Sequence, residues 1–348
     1  MANSIFSTPN WIDEPEAIIF GGSWNATQNL NKLKEDDIND PAISTDDAEA
    51  STKFDFDLGN PRDIRCLALF EQDISITGKV RFQLSLTASF SGATVSGSAL
   101  SAATSFTFQA PTGSALNIEA GDVFTVAGSS TLHTVSSPVT IAAGATGSVT
   151  FSPGLTNALS GGEVITCRTG DYSSPVYDDG ALIDAYGVIY PWGTLPYFHP
   201  SWWTGKPTQA DIDSEKFPIR RVLSSAVFAR FGRVTISDTS NPNGQVTIGR
   251  LWVGRGEQYT YNIAYGATSI GFITETKVDR TLSGRRVYNE KPMQRLLPLE
   301  IQNLPTSEAM TRFYDMVKRL NLNKQLAFFF DPDDTALMHR RTFLATLA

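Results

Sequence analysis

The stretch RFGRVTISDTSNPNGQVTIGRLWVGR, residues 230–255, decides the fold class of this chain. Within it, Val234 and Ile236 alternate with polar residues, a pattern typical of a strand with one buried face. The Asn-Pro and Asn-Gly pairs that follow are turn signals, and residues 245–253 are strand-like again. We therefore predict two strands joined by a tight turn.

Similar extended segments lie at residues 64–70, 78–86 and 181–190, and helical periodicity is almost absent from them. A run of strands separated by turns predicts a mainly β fold, built as a β-sandwich. We assign the two halves of this sandwich to residues 51–90 and 171–258.

The middle of the chain has a different composition. No Lys or Arg lies between Arg81 and Arg168, and small residues dominate. Short segments such as Phe106–Phe108 and Asp122–Val126 nevertheless alternate apolar and polar residues, which indicates strands. A flexible linker is the alternative, but linkers seldom alternate β-branched and aromatic residues in this way. We predict a small all-β domain over residues 91–170, inserted into the sandwich.

The C-terminal part, residues 259–348, is predicted to be a small α+β domain. Thr306 is a candidate N-cap, and Glu308 in the first turn suits the helix dipole. Strands are expected at residues 295–302 before this helix and at 326–330 and 341–347 after it. The apolar stripe of the helix consists of Ala309, Met310, Phe313, Met316, Val317 and Leu320.

Charge is distributed unevenly along the chain. Residues 1–60 contain twelve acids and three bases, which gives −9, whereas residues 216–348 contain eleven acids and nineteen bases, which gives +8. Chance and solvated faces can explain this, or one end of a subunit meets the other end of its neighbour. The polar, acidic residues 1–50 are predicted to be an extended N-terminal arm that orders on a neighbouring subunit.

Several functional classes are disfavoured by the sequence. No apolar run approaches the roughly 18 residues of a membrane helix, and the first residues lack the basic and apolar regions of a signal peptide. The net charge of −8 argues against general nucleic-acid binding. We expect no membrane insertion and no nucleic-acid sequence recognition. Cys66 and Cys167 are expected to be free thiols.

No catalytic, cofactor or metal site is predicted. The three histidines lack a second His or a Cys at ligand spacing, and no phosphate-binding, dinucleotide or nucleophile-elbow motif is present. We therefore expect a protein that is not an enzyme. Three clusters of residues with carboxylate or amide side chains could either bind calcium or simply form turns. They are Asp178 and Asp179; Asp238, Asn241 and Asn243; and Asp331, Asp333 and Asp334.

Aromatic residues are concentrated within fourteen positions. They are Tyr190, Trp192, Tyr197, Phe198, Trp202 and Trp203. Such rings can pack in a core, anchor a protein interface or stack on sugars. We take Trp192, Tyr197, Trp202 and Trp203 as candidate interface or glycan-contact residues.

Four segments resemble parts of known proteins, and three of these resemblances are to phage proteins. FDFDLGNPRDIRCLALF (residues 54–70) followed by ITGKVRFQLS (residues 76–85) resembles the opening of a galactose-binding-like jelly roll. Residues 230–255 resemble the closing hairpin of a jelly roll found in phage tail proteins. The order of strand, helix and two strands over residues 295–347 resembles the end of distal tail or tail-tip proteins. GDVFTVAG (residues 121–128) is similar to small β modules of phage structural proteins.

The resemblance implies a structural role in the virion. A subunit of this family forms a homo-oligomeric ring, with six- or three-fold symmetry, at the tail tip or baseplate. Its partners would be the tail tube, the hub and the tape-measure protein, and assembly would take place in the host cytoplasm. A carbohydrate-binding module for host adsorption, which contacts host surface glycan, is the alternative. A glycan-degrading enzyme with paired carboxylates is a third hypothesis.

Overall fold

The computed structural model describes residues 3–264, 269, 271–274, 276–280, 283–289, 291, 294–321 and 324–347. The fold is mainly β, with 39% strand and 11% helix. This confirms the predicted fold class.

The elements are as follows, in chain order. The strands are β1 (Ile5–Asn10), β2 (Ile18–Phe20), β3 (Ala42–Ile43), β4 (Phe54–Phe70), β5 (Lys79–Ser85), β6 (Thr94–Ser96), β7 (Ser105–Gln109), β8 (Leu116–Ile118), β9 (Val123–Val126), β10 (His133–Val135), β11 (Val139–Ile141), β12 (Thr146–Ser152), β13 (Ile165–Cys167), β14 (Tyr177–Asp178), β15 (Ile183–Asp184), β16 (Ile219–Ser237), β17 (Thr247–Ile248), β18 (Arg250–Gln258), β19 (Gly271–Ile273), β20 (Lys277–Arg280), β21 (Arg286–Asn289), β22 (Gln294–Leu296), β23 (Gln325–Phe329) and β24 (Thr342–Thr346). The α-helices are α1 (Glu49–Thr52), α2 (Gln209–Ser214), α3 (Thr306–Glu308), α4 (Tyr314–Leu320) and α5 (Met338–Arg341). Two 3₁₀ turns (Trp11–Asp13, Leu30–Lys34) and one π turn (Ala309–Phe313) complete the set.

One large antiparallel sheet organises the body. Its order is β14-β5-β16-β4-β18-β1-β23-β24, with β15 beside β5 and β2 beside β4. The two longest strands, β4 and β16, lie next to each other at its centre, and their register is interrupted between Val222 and Val227 and between Ala229 and Phe231. The strands predicted at residues 64–70 and 78–86 therefore lie in one sheet with β16 and β18, the two long strands of residues 230–255, but β4 separates β16 from β18. Of the segment predicted at 181–190, only Ile183–Asp184 form a strand.

The alternation along β4 explains the main core. Phe54, Phe56 and Leu58 point into it and are at most 1% exposed, because successive residues of a strand face opposite sides. Near the end of the strand both faces are apolar, and Cys66 packs with Trp252 in a second core on the other side. This part of the sheet is therefore buried on both faces.

The inserted module has a hydrophobic core of its own. Its six-stranded sheet has the order β13-β9-β10-β12-β7-β6, beside the pair β8–β11. Four Phe rings, Phe106, Phe108, Phe124 and Phe151, pack against one another with centroids 4.9 to 6.1 Å apart. The core cluster spans residues 90–167, in keeping with the all-β insert that the alternation predicts. The exact domain boundaries stay a prediction.

The N-terminal residues are not the extended arm predicted for 1–50. Strand β1 pairs with β18 on one side and β23 on the other, and Ile12, Leu33 and Ala42 are buried in the main core. The prediction was wrong because scattered apolar residues of an irregular segment show no period, although each one fills the same core. Some acidic residues of this segment also form ion pairs within the chain: Asp13 and Asp36 both pair with Arg250.

The structure of residues 259–348 differs in part from the small α+β domain that the sequence predicts. Strands β23 and β24 extend the main sheet through β1, and the strand expected at 295–302 is limited to β22. Pro305 precedes the helix, so Thr306 is not its cap, and a π turn separates α3 from α4. Only Met316 and Leu320 of the stripe are fully buried, whereas Met310 is 66% exposed.

Candidate functional site: an exposed aromatic loop

Residues 188–205, called the aromatic loop below, form a closed irregular loop. The N–H groups of Ile189 and Tyr190 both donate to the carbonyl of Gly205, at 2.8 and 2.9 Å. Gly205 has a φ of +62°, and a Cβ there would lie 2.8 Å from Cγ1 of Val188. Only glycine fits this closure, since other residues avoid both the angle and the contact. The ends of the loop are thus pinned together, as in compact Ω-loops.

Consecutive tight turns hold the interior of the loop. Thr194 donates through N–H and Oγ1 to the carbonyl of Pro191, at 3.1 and 2.6 Å. The N–H of His199 donates to Pro196 at 3.0 Å, and the N–H of Trp202 donates to His199 at 2.8 Å. The loop therefore has a defined backbone path, although it contains no helix or strand.

The base of the loop is anchored in the body. Ile189 is fully buried in the main core, and its carbonyl accepts the N–H of Leu337 at 2.8 Å. The Tyr190 ring packs against the same core. Burial and the neighbouring Asp211 carboxylate raise the pKa of the Tyr190 hydroxyl. The anchor is therefore part of the folded core, and the rest of the loop projects from it.

The rings of the loop are largely exposed. Trp192 is 86%, Tyr197 65%, Phe198 87% and Trp203 83% exposed, while Trp202 is half-buried and meets the Tyr197 ring edge-on at 5.5 Å. Core packing, one of the three alternatives for this segment, is thereby excluded for the four exposed rings. The sequence-predicted residues Trp192, Tyr197, Trp202 and Trp203 do lie together on one loop.

A pocket of about 210 Å³ lies within the loop, with Tyr190, Trp192, Trp202 and Trp203 among its lining residues. Ser201 also lines it and is 2% exposed, and the Ser201 Oγ has no hydrogen-bond partner among the described residues. Thr204 lines the pocket as well. Aromatic walls with a few polar groups are typical of a site that orients a ring-shaped ligand or an inserted side chain.

The loop carries almost no charge. Residues 185–205 contain no Asp, Glu, Lys or Arg, and the flanking Asp184 and Lys206 pair with each other at 2.7 Å. Any attraction to a partner must therefore come from apolar contact, ring stacking and hydrogen bonds.

The acidic groups that could bind calcium are engaged within the protein. Asp178 accepts two hydrogen bonds from Arg81, and Asp238 accepts the Ser75 N–H at 2.8 Å and the Asn241 amide at 2.9 Å. Asp331 accepts the N–H of Asp333 within its turn, which leaves the turn interpretation as the simplest one. Within the described part of the chain, no three His, Cys, Asp or Glu side chains cluster as metal ligands.

A buried ionic cluster, which the sequence pattern does not predict, lies where the insert joins the main sheet. Asp57 is fully buried and accepts two hydrogen bonds from Arg230 and a third, at 3.1 Å, from Arg168. Asp55 pairs in the same way with Arg233, at 2.7 and 2.9 Å. The signal was the alternation of acids with Phe in β4, opposite alternating bases in β16. All these carboxylates are held in ion pairs, so the cluster joins the insert to the sheet.

Both cysteines are buried free thiols. Burial raises the pKa of Cys66 and of Cys167 to about 12, so neither is a reactive thiolate at neutral pH. None of the described helices is long and apolar enough to cross a membrane.

No protein-family profile and no curated protein sequence matches this chain. Among solved structures, it is similar to a GH29 fucosidase of Ruminococcus gnavus in complex with fucose. The identity is 8% and the TM-score 0.27, and the match covers 72% of this chain but 27% of the fucosidase chain. A likeness this weak carries no argument about fold or activity.

Proposed function

We propose that this chain is a structural subunit of a phage tail tip or baseplate. In this role it forms a ring that joins the tail tube to the hub or the receptor-binding apparatus, and it is incorporated into the virion in the host cytoplasm. The resemblance of residues 54–86 and 181–348 to tail proteins is the starting point of this proposal. A continuous β scaffold with an inserted module suits such a connector.

The observation that carries the proposal is the exposure of Trp192, Phe198 and Trp203 on a well-fixed loop. Burial of a large apolar side chain stabilises by about 1.5–3 kcal/mol, so three exposed rings represent a sizeable free energy that a partner can capture. Aromatic residues in this position are typical anchors of protein interfaces. The loop is the proposed contact with a neighbouring tail protein.

The experiment is an assembly assay in phage particles that carry the double variant Trp192→Ala, Trp203→Ala. We expect incomplete tails, because the contact loses both anchors. The matched control is Leu100→Ala, which removes an apolar side chain that is 80% exposed on the insert and should leave assembly unchanged. Absence of the wild-type protein from purified virions would refute the role.

A second candidate function, glycan binding, is favoured by the pocket around Trp202 and Trp203. Tryptophan faces stack on the apolar side of sugar rings, and the unpartnered hydroxyl of Ser201 is available for one hydrogen bond. The test is a glycan array with wild type, Trp203→Ala and Ser201→Ala. Binding that falls in both variants but not in Leu100→Ala supports this function, and no binding to any host polysaccharide rejects it.

The proposal includes no catalytic step. Both oxygens of the buried Asp55 and Asp57 carboxylates accept hydrogen bonds from arginine. Release of reducing sugar from host polysaccharide by the purified protein would contradict this part of the proposal.

A further inference from the structure

A ribbon of four short strands projects without a partner strand. Strand β19 pairs with β22 and β20 pairs with β21, and neither pair joins another described strand. We call the described residues of 271–296 the basic ribbon. Large apolar side chains are exposed on it, with Phe272 at 63%, Val278 at 52% and Tyr288 at 55%. Open strand edges and exposed rings are features of a docking surface.

The charges of the basic ribbon oppose its own stability. Arg280 lies directly opposite Arg286 in the β20–β21 register, two positions from the Val278–Tyr288 pair and on the same face of the hairpin. Like charges in this arrangement destabilise a hairpin. The sequence from 271 to 296 has six bases against three acids, and neither Arg280 nor Arg286 forms an ion pair with another described residue. An anionic partner would relieve this repulsion.

A matching surface exists elsewhere on the same chain. Residues 35–49, called the acidic segment below, contain seven acids and no base. Three of these acids are already paired, two with Lys32 and one with Arg250. Asp47 and Glu49 make no side-chain hydrogen bond or ion pair with another described residue, and Glu49 is exposed. The segment therefore keeps negative charge that the fold does not neutralise.

The two surfaces do not neutralise each other within one chain. No ion pair between described residues joins the basic ribbon to the acidic segment. Two complementary surfaces at different places on one molecule form a heterologous contact, which generates a ring when the rotation between successive copies closes.

We infer that the basic ribbon of one copy docks on the acidic segment of a second copy of this chain. The inference rests on the proposed function and names the surfaces through which the ring would form. Arg280 and Arg286 would meet acids such as Asp47 and Glu49, while Val278 and Tyr288 become buried beside them. Since the contact is charged and lies at the surface, it weakens as salt screens it.

The experiment is a charge-swap complementation with the full chain. The ribbon variant carries Arg280→Glu and Arg286→Glu, and the segment variant carries Asp47→Lys and Glu49→Lys. Each variant alone places like charges in the contact, so we expect its self-association, followed by mass photometry and light scattering, to be at least tenfold weaker than that of wild type. In an equimolar mixture every contact between a ribbon variant and a segment variant has opposite charges again, so oligomers with an even number of alternating subunits should return.

The matched control is Lys318→Glu with Arg319→Glu, which makes the same charge change at exposed positions of α4 and should assemble like wild type. Thermal unfolding verifies that all variants fold. Three results would overturn the inference: wild type stays monomeric at 100 μM, the ribbon variant or the segment variant assembles normally by itself, or the mixture of the two does not assemble. The inference is equally overturned if the ribbon variant loses binding to duplex DNA or to anionic vesicles with its self-association unchanged. The proposed function is judged separately, by the presence of the protein in virions.

Discussion

Arg230 of strand β16 holds the carboxylate of Asp57 in strand β4 with two parallel hydrogen bonds, Nε to Oδ1 at 2.7 Å and Nη2 to Oδ2 at 2.9 Å. Arg168, at the end of the insert, reaches the same carboxylate at 3.1 Å. One buried acid therefore connects the two central strands with the returning chain of the insert. Bidentate arginine pairs of this kind fix geometry as well as charge.

The first prediction concerns this acid. Asp57→Asn keeps the shape of the side chain but leaves Arg230 and Arg168 without their counter-charge, so we expect a loss of about 3–5 kcal/mol in the free energy of unfolding. Denaturant unfolding measures it. The control is Asp184→Asn, which breaks the exposed pair with Lys206 and should cost less than about 1 kcal/mol. If the two variants lose the same free energy of unfolding, the buried ion pairs of Asp57 contribute no more to stability than an exposed ion pair does.

The second prediction concerns the pH dependence that Asp13 introduces. Burial, opposed by Arg250 and assisted by Asp36, raises the pKa of Asp13 to about 6. The folded state then holds the proton more tightly than the unfolded state, so the stability linked to it is present below pH 4 and is lost as the pH rises through 6. In Asp13→Asn this loss should disappear. As the pH rises from 4 to 7, the free energy of unfolding of Asp13→Asn should increase by about 1 kcal/mol relative to that of wild type. The value is small because the Asp13 side chain is 39% exposed and therefore partly screened by solvent.

Chemical denaturation of both proteins at several pH values measures the difference. A constant difference between Asp13→Asn and wild type across this range would contradict the expected linkage. Asp36→Asn is the comparison variant: it removes the other carboxylate partner of Arg250 and a charge that raises the pKa of Asp13. The pH-dependent loss should therefore remain in Asp36→Asn but move to lower pH.

The sequence predicts the strands better than their partners. The alternation of Phe54, Phe56 and Leu58 identifies β4, because a half-buried strand shows its period directly. The partner of a strand depends on contacts between distant residues, so nothing local places β1 between β18 and β23. The extended arm predicted for residues 1–50 is wrong because the buried apolar residues of that segment, such as Ile12 and Leu33, show no period in the sequence.

The candidate site shows a similar division. The clustering of Trp192, Tyr197, Trp202 and Trp203 is visible in the sequence, but their exposure is not, since the same rings could fill a core. Exposure follows from the closure at Gly205, which keeps the loop outside the body. The ionic cluster at Asp57 could be found only by reading β4 against β16 in their actual register.

The third prediction concerns acid sensitivity through His339. Its side chain is 3% exposed and lies 3.3 Å from the Glu215 carboxylate, and burial lowers its pKa to about 4. The stability linked to the neutral ring is present above pH 6.5 and is lost as the pH falls through 4. His339→Gln cannot take up this proton, so its stability should decline less than that of wild type between pH 6.5 and 4. Parallel declines in urea titrations would contradict the assignment.

The fourth prediction separates exposed from buried tryptophan. Trp192→Ala should change the free energy of unfolding by less than about 0.5 kcal/mol, because its ring makes little contact with the body. Trp252 is fully buried and donates its indole N–H to the Ser7 hydroxyl at 2.8 Å. Trp252→Ala should therefore lower the free energy of unfolding by about 3–5 kcal/mol. Thermal and denaturant unfolding give both values. A large loss in Trp192→Ala would mean that the loop belongs to the core.

The fifth prediction concerns the closure of the aromatic loop. In Gly205→Ala the new Cβ would meet Val188 Cγ1 at 2.8 Å and the Tyr190 carbonyl at 3.0 Å, at a φ of +62°. Relief of this strain must open the hydrogen bonds from Ile189 and Tyr190, so we expect a loss of about 1–3 kcal/mol and a change in tryptophan fluorescence. Gly187→Ala is the matched control, because a Cβ there meets nothing within 4 Å and the φ is ordinary. If both variants unfold and fluoresce alike, the loop is not held by this closure, and the fixed presentation of Trp192 and Trp203 loses its structural basis.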